Sequence, residues 1–226
     1  MKRSEINSLI KATMSWAESL GVRLPPFARW SPEEWATKGH ECDEIRANML
    51  GWDVTDYGRG DFHNIGLLLF TIRNGNLKDS RYAKPYAEKM LVSEVNQLAP
   101  NHFHWHKMED IINRGGGDLM VQVWNSTEAD DLADTDVTVR MDGRLVTVPA
   151  GTILRLTPGE SITIPPRLYH AFWAEKEKVL AWEVSMVNDD NTDNRFYEEQ
   201  LRFTNIQEDE APAYLLCNEY PSSAEV

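Results

Sequence analysis

From about residue 60 to residue 187 the chain runs as short segments of alternating apolar and polar residues, broken by turn residues, with no helical period between them. A strand shows its side chains to opposite faces with period two, so this pattern predicts many short antiparallel strands. The segments are residues 65–72, 90–95, 119–124, 137–141, 145–148, 153–156, 161–164, 171–173 and 179–187. Asp142-Gly143 separates two of them by two residues and predicts a tight hairpin, and Asn74-Gly75 is a further turn signal. The glycine run 115–117 reads as a turn. A chain of this kind closes into a sandwich or a barrel, an all-β fold.

Before this region, residues 1–55 read as helical. Ile6, Leu9, Ile10, Trp16, Ala17 and Leu20 recur at three- and four-residue steps and Gly21 stops the run. Ser31-Pro32-Glu33-Glu34 carries a capping box, and a third short helix is expected to end at Gly51. These helices are too short to stand alone and are expected to pack on the strands. Residues 188–226 read as a polar loop followed by a C-terminal extension, with a short helix over 196–203. No repeat or linker divides the chain, which predicts a single domain over 1–226.

The net charge of −13, from 36 acids against 23 bases, disfavours nucleic acid as a partner. No apolar run is long enough for a membrane span and the basic N-terminus lacks the core of a signal peptide. Only two cysteines occur, Cys42 and Cys217. They are expected to be reduced thiols in a cytoplasmic protein.

The most informative segment is Asn101-His102-Phe103-His104-Trp105-His106-Lys107-Met108-Glu109. In a strand His102, His104 and His106 share one face, and two imidazoles two residues apart can reach one cation. Glu109 lies an odd number of residues from His104, so the strand must bend near Lys107 for the carboxylate to join them. The same bend brings Lys107 to the site. Far along the chain, Gly159 and Pro165-Pro166 bracket another strand, and His170 opens the next.

These segments resemble the paired motifs of the cupins. The first matches at His102, His104, Glu109 and Gly116, and the second at Gly159, Pro165 and His170, with Arg167 standing where cupins often carry glycine. The resemblance implies a jelly-roll barrel, with the short helical N-terminal segment packed on it, and His102, His104, Glu109 and His170 around one divalent metal ion. Three imidazoles and a carboxylate suit Mn, Zn, Co or Fe and leave a position open.

A closer resemblance lies in the run from His102 to Gly117, in residues 183–190 and in Asp193-Asn194-Arg195-Phe196. They are similar to the D-lyxose ketol-isomerase family. This implies a metal-dependent aldose–ketose isomerase, with Mn the expected metal, that interconverts D-lyxose and D-xylulose, and D-mannose and D-fructose. Such chemistry needs a Lewis acid and a base that moves a proton between adjacent carbons. Within residues 179–187, Ala181, Glu183 and Ser185 form one face, and Glu183 among small residues, with a raised pKa, is the expected base. Lys107 is expected to act as acid or to stabilise the enediolate. Lys89, His106, Asp189, Asp190 and Arg195 are candidate sugar contacts. The residues alone leave open a cupin dioxygenase using the same ligands, a sugar-phosphate isomerase, or a non-enzymatic sugar-binding cupin. Eight tryptophans and exposed sheet edges, together with the resemblance, point to a homodimer.

Overall fold

A computed structural model describes residues 1–224. Helix α1 (Arg3–Ser19) is followed by two brief helices, α2 (Pro32–Trp35) and α3 (Asp43–Ala47). The strands are β1 (Gly51–Thr55), β2 (Leu67–Arg73), β3 (Tyr86–Ser93), β4 (Ala99–His104), β5 (Glu109–Asn125), β6 (Val137–Met141), β7 (Arg144–Val148), β8 (Ile153–Leu156), β9 (Ser161–Ile164), β10 (Leu168–Met186) and β11 (Asn194–Phe196). They form one antiparallel sheet in the order β1-β2-β3-β10-β5-β9-β6-β7, with β4 on β10, β11 on β4 and β8 on β5. The all-β barrel with a small helical N-terminal segment is the fold expected.

Both faces of the first strands are buried, which is why they read as nearly continuous apolar runs. Leu67, Leu69, Leu91, Ile111 and Val179 point into the barrel. Leu68, Phe70, Met90, Val92 and Leu180 point outward and are covered by Ile6, Ile10 and Met14 of α1. Helix α1 ends where Gly21 takes a positive φ of 80° and Val22 N bonds back to Ala17 O. The Asp142-Gly143 hairpin forms as expected, with φ of 49° and 77°.

Three expectations are corrected. Strand β1 lies inside the segment expected to be helical; all five of its residues are buried, so it lacks the alternation that marks a strand. Residues 115–117 form no turn but lie inside β5, opposite a register shift of β10 between Glu175 and Val179. A Cβ on Gly116 would meet Lys178 O at 1.9 Å, so glycine there lets two long strands bend together around the barrel. Residues 196–203 form no helix. Phe196 pairs with His102 in β11, and Arg202 is held by ion pairs instead.

Candidate active site

His102 and His104 face the barrel interior from β4, and His170, at the start of β10, lies opposite His102 in the strand register. Strand β4 stops at His104 because residues 105–107 turn onto Asp193. Asp193 O accepts from Trp105 N at 3.2 Å, and its carboxylate accepts from His106 N at 2.9 Å and Lys107 N at 3.0 Å. This is the bend the spacing required. It swings Lys107 inward and lets β5 begin at Glu109 on the cavity side. It also turns His106 outward: its side chain is exposed, and it does not share the histidine face.

The three imidazoles each offer a ligand atom within 4.8 Å of the others. Nδ1 of His102 lies 2.8 Å from Pro100 O and Nδ1 of His170 lies 3.0 Å from Leu168 O. A carbonyl can only accept, so both Nδ1 atoms carry the proton and both Nε2 atoms present lone pairs to the cavity. Among the described residues Nε2 of His170 is buried with no hydrogen-bond partner, although Glu109 Oε1 is 3.1 Å away. A lone pair facing a carboxylate oxygen inside a protein is repulsive unless a cation lies between them. His104 Nε2 stands 3.4 Å from Glu109 Oε2, and its Nδ1 is likewise buried without a partner. The donor set therefore fits a divalent cation that accepts nitrogen and oxygen ligands. Burial and the neighbouring imidazoles of His170 and His104 hold the His102 pKa well below its ordinary value; burial and Lys107 lower that of His104. Both rings are neutral at neutral pH, the form in which an imidazole can bind a cation.

A second group of charges adjoins the first. Lys107 Nζ lies 2.7 Å from Glu109 Oε2 and 2.9 Å from Glu183 Oε1. Lys89, opposite Glu183 in the register of β3 and β10, reaches Glu183 Oε1 at 3.4 Å. Lys107, Lys89, Glu109 and Glu183 are each no more than 5% exposed. Burial by itself would pull the Lys107 pKa down, but Glu109 and Glu183 outweigh it and hold the ammonium above the lysine range. Burial would raise Glu183, yet Lys107 and Lys89 outweigh it. The raised pKa expected for Glu183 is thus corrected to a lowered one, because its face carries two lysines as well as small residues.

Asn188, unforeseen from the sequence, joins the lysines: its Oδ1 accepts from Lys89 Nζ at 2.7 Å and Lys107 Nζ at 3.2 Å. Its backbone is clamped by Asn74, whose Nδ2 donates to Asn188 O at 2.9 Å while Oδ1 accepts from Asn188 N at 3.0 Å.

Asp190 lines the cavity, bound to Arg202, which also reaches buried Asp53 at 2.7 Å. Arg202, Tyr57, Asn194 and Phe196 complete the wall facing the histidines. Asp189 instead holds Lys78 at 2.8 Å and lines a neighbouring outer pocket. Arg195 lies between Asn194 and Phe196, both of which face the cavity, so its side chain leaves on the other side of β11. Neither Asp189 nor Arg195 lines the central cavity. Arg202 and Tyr57 carried no local pattern that would have singled them out.

A family model described as D-lyxose isomerase matches residues 1–220. A D-lyxose/D-mannose isomerase of Serratia proteamaculans is 48% identical over 223 residues, covering 97% of this chain and 98% of that protein. The D-lyxose/D-mannose isomerase of Escherichia coli O157:H7 is 49% identical over the same coverage. Among solved structures, a mutant L-ribose isomerase of Acinetobacter sp. DL28 in complex with L-ribose aligns with a TM-score of 0.62 at 13% identity, covering 92% of this chain and 98% of that one. The L-ribose isomerase of Cellulomonas parahominis with L-psicose aligns with a TM-score of 0.60 at 16% identity and the same coverage. At these identities the structural likeness concerns the fold.

Proposed function

The chain belongs to the D-lyxose isomerase family and is a sugar isomerase, and on that premise we propose that it interconverts D-lyxose with D-xylulose, and D-mannose with D-fructose, by a metal-dependent proton transfer through an enediol. The observation that carries this reading is the contiguity of two groups. The histidines and Glu109 sit directly beside a buried carboxylate, Glu183, whose Oε1 is 2.9 Å from Lys107 Nζ.

His102, His104, Glu109 and His170 would hold a divalent cation, with manganese the preferred ion, and it would supply Lewis-acid chemistry to the sugar. Glu183, ionised because Lys107 and Lys89 hold its pKa down, takes the proton from carbon 2 as a double bond forms between carbons 1 and 2. The hydroxyl proton passes from oxygen 2 to oxygen 1, and Glu183 returns its proton to carbon 1. The lowered pKa that keeps Glu183 a carboxylate also makes its protonated form a ready donor for the return. Lys107 stays an ammonium and stabilises the negative charge that develops on the oxygens. Asp190 and Lys89, both on the cavity wall, are the sugar contacts among the five candidates.

The protein is read as cytoplasmic, since both Cys42 and Cys217 are free. It is read as a homodimer, with Tyr86 of β3 and Val184 and Met186 of β10 exposed on the outer face and Met108, in the loop before β5, beside them. The function is tested by incubating chelator-treated protein with D-lyxose and with D-mannose, with and without added Mn. Ketose formation only with the metal is expected; metal-independent turnover, or none with any aldose, would defeat the reading. Sedimentation velocity tests the dimer.

A further inference from the structure

Among the described residues Tyr57 is one of seven non-glycine residues with positive φ, and of these the one that lines the central cavity. At φ 53° a bulky aromatic residue is strained, and strained residues persist where their surroundings over-determine them, often at functional sites. The surroundings here are explicit. Tyr57 N donates to Thr55 Oγ1 at 3.0 Å, and the same hydroxyl donates to Arg202 O at 2.8 Å. Asp56 then accepts from Gly58 N and Gly60 N, each at 3.0 Å, tying the turn that follows.

The ring is buried and packs edge-on against Phe196 with centroids 5.6 Å apart, and Phe196 in turn lies 5.6 Å from His102. Packing explains the ring but not the hydroxyl. Among the described residues that hydroxyl enters no hydrogen bond, although Arg202, Asp53 and Asp190 act on it through their charges. The hydroxyl is not sealed off but keeps surface on the cavity that Tyr57 lines, so its donor and acceptor are free for a hydroxyl of a ligand held there.

We propose that the Tyr57 phenol binds a sugar hydroxyl at the end of the substrate remote from carbons 1 and 2, one phenyl ring away from the metal-binding histidines, and so fixes the register of the sugar in the cavity. This rests on the isomerase reading of the site. It makes Tyr57 a substrate-binding residue with no part in proton transfer.

Tyr57→Phe keeps the ring and removes only the hydroxyl. With D-lyxose and Mn, KM is expected to rise roughly five- to tenfold, the loss of one hydrogen bond, while kcat stays within about twofold and metal content is unchanged. For the deoxy sugar that lacks the bound hydroxyl, among 4-deoxy- and 5-deoxy-D-lyxose, the variant and the parent should have equal KM. An unchanged KM for D-lyxose, or a fall in kcat alone, would overturn the assignment. Calorimetric titration of D-arabinitol, the polyol of the same configuration that cannot isomerise, separates this from the reaction. If the parent protein turns over no aldose the isomerase reading fails, and weaker arabinitol binding by Tyr57→Phe then still supports the contact. Equal binding by the two proteins, or none by either, would remove it.

Discussion

Lys107 places its ammonium 2.9 Å from Glu183 Oε1 inside the barrel, where its side chain is 2% exposed and that of Glu183 7%. The same ammonium is 2.7 Å from Glu109. One lysine therefore neutralises both Glu109, proposed as a metal ligand, and Glu183, proposed as base, and it does so where water cannot substitute. Replacing it by methionine keeps the length and removes the charge. Glu109 then loses its lysine counterion and Glu183 keeps only Lys89 at 3.4 Å, which costs about 3–5 kcal/mol. Urea unfolding of Lys107→Met should show a loss of that size together with loss of turnover; a variant as stable as the parent would mean the ammonium is replaceable by solvent.

Acidification should destabilise the metal-free protein, and the sign follows from the imidazoles. Burial lowers the pKa of His102 and His104 in the fold below the ordinary 6.5. Between the folded and ordinary values the unfolded chain binds more protons, so the stabilisation is complete above pH 6.5 and is lost as pH falls below it. The slope can reach about 1.4 kcal/mol per pH unit for each ring. Glu109, which burial would raise but Lys107 and His104 hold low, adds a loss in the same direction at lower pH. Denaturant titrations from pH 8 to 5 should be nearly flat above neutrality and fall below it. A flat profile down to pH 5 would contradict the burial of neutral imidazoles.

Much of this was legible in the sequence because it was local. His102 and His104 stand two residues apart in a strand, Asp142-Gly143 is a two-residue loop, and Ala181, Glu183 and Ser185 alternate with an outward face. What could not be read depends on residues distant in the chain. The strand ends before His106 because Asp193, 87 residues later, captures the backbone amide. Gly116 and Gly117 of β5 serve the close approach of β10, not a turn. Glu183 is acidified by Lys107 and Lys89, and no spacing within one strand reveals the second of these.

Arg202 holds two buried carboxylates, Asp53 and Asp190, and fastens the C-terminal extension to the barrel wall. Arg202→Met should cost about 3–5 kcal/mol by leaving those charges unpaired, and adding Asp53→Asn should restore part of it. Denaturant midpoints of the single and double variants measure this. Additive losses would show that Arg202 does not pair with Asp53.

Removal of the metal should abolish turnover without unfolding the chain, since the apolar cores of the barrel and under α1 do not involve the ligands. His170→Ala should fail to retain the ion in metal analysis after dialysis. Retention at parental stoichiometry would exclude His170 as a ligand.

The central claim is that Glu183 carries a proton between two carbons of the sugar. It is tested most directly by running D-lyxose with Mn in heavy water, for the parent and for Glu183→Gln, and locating the label. The account predicts deuterium at carbon 1 of the ketose for the parent, and neither label nor product for Glu183→Gln at unchanged metal content. Product formed by the parent without label, or parental rates in Glu183→Gln, would contradict it.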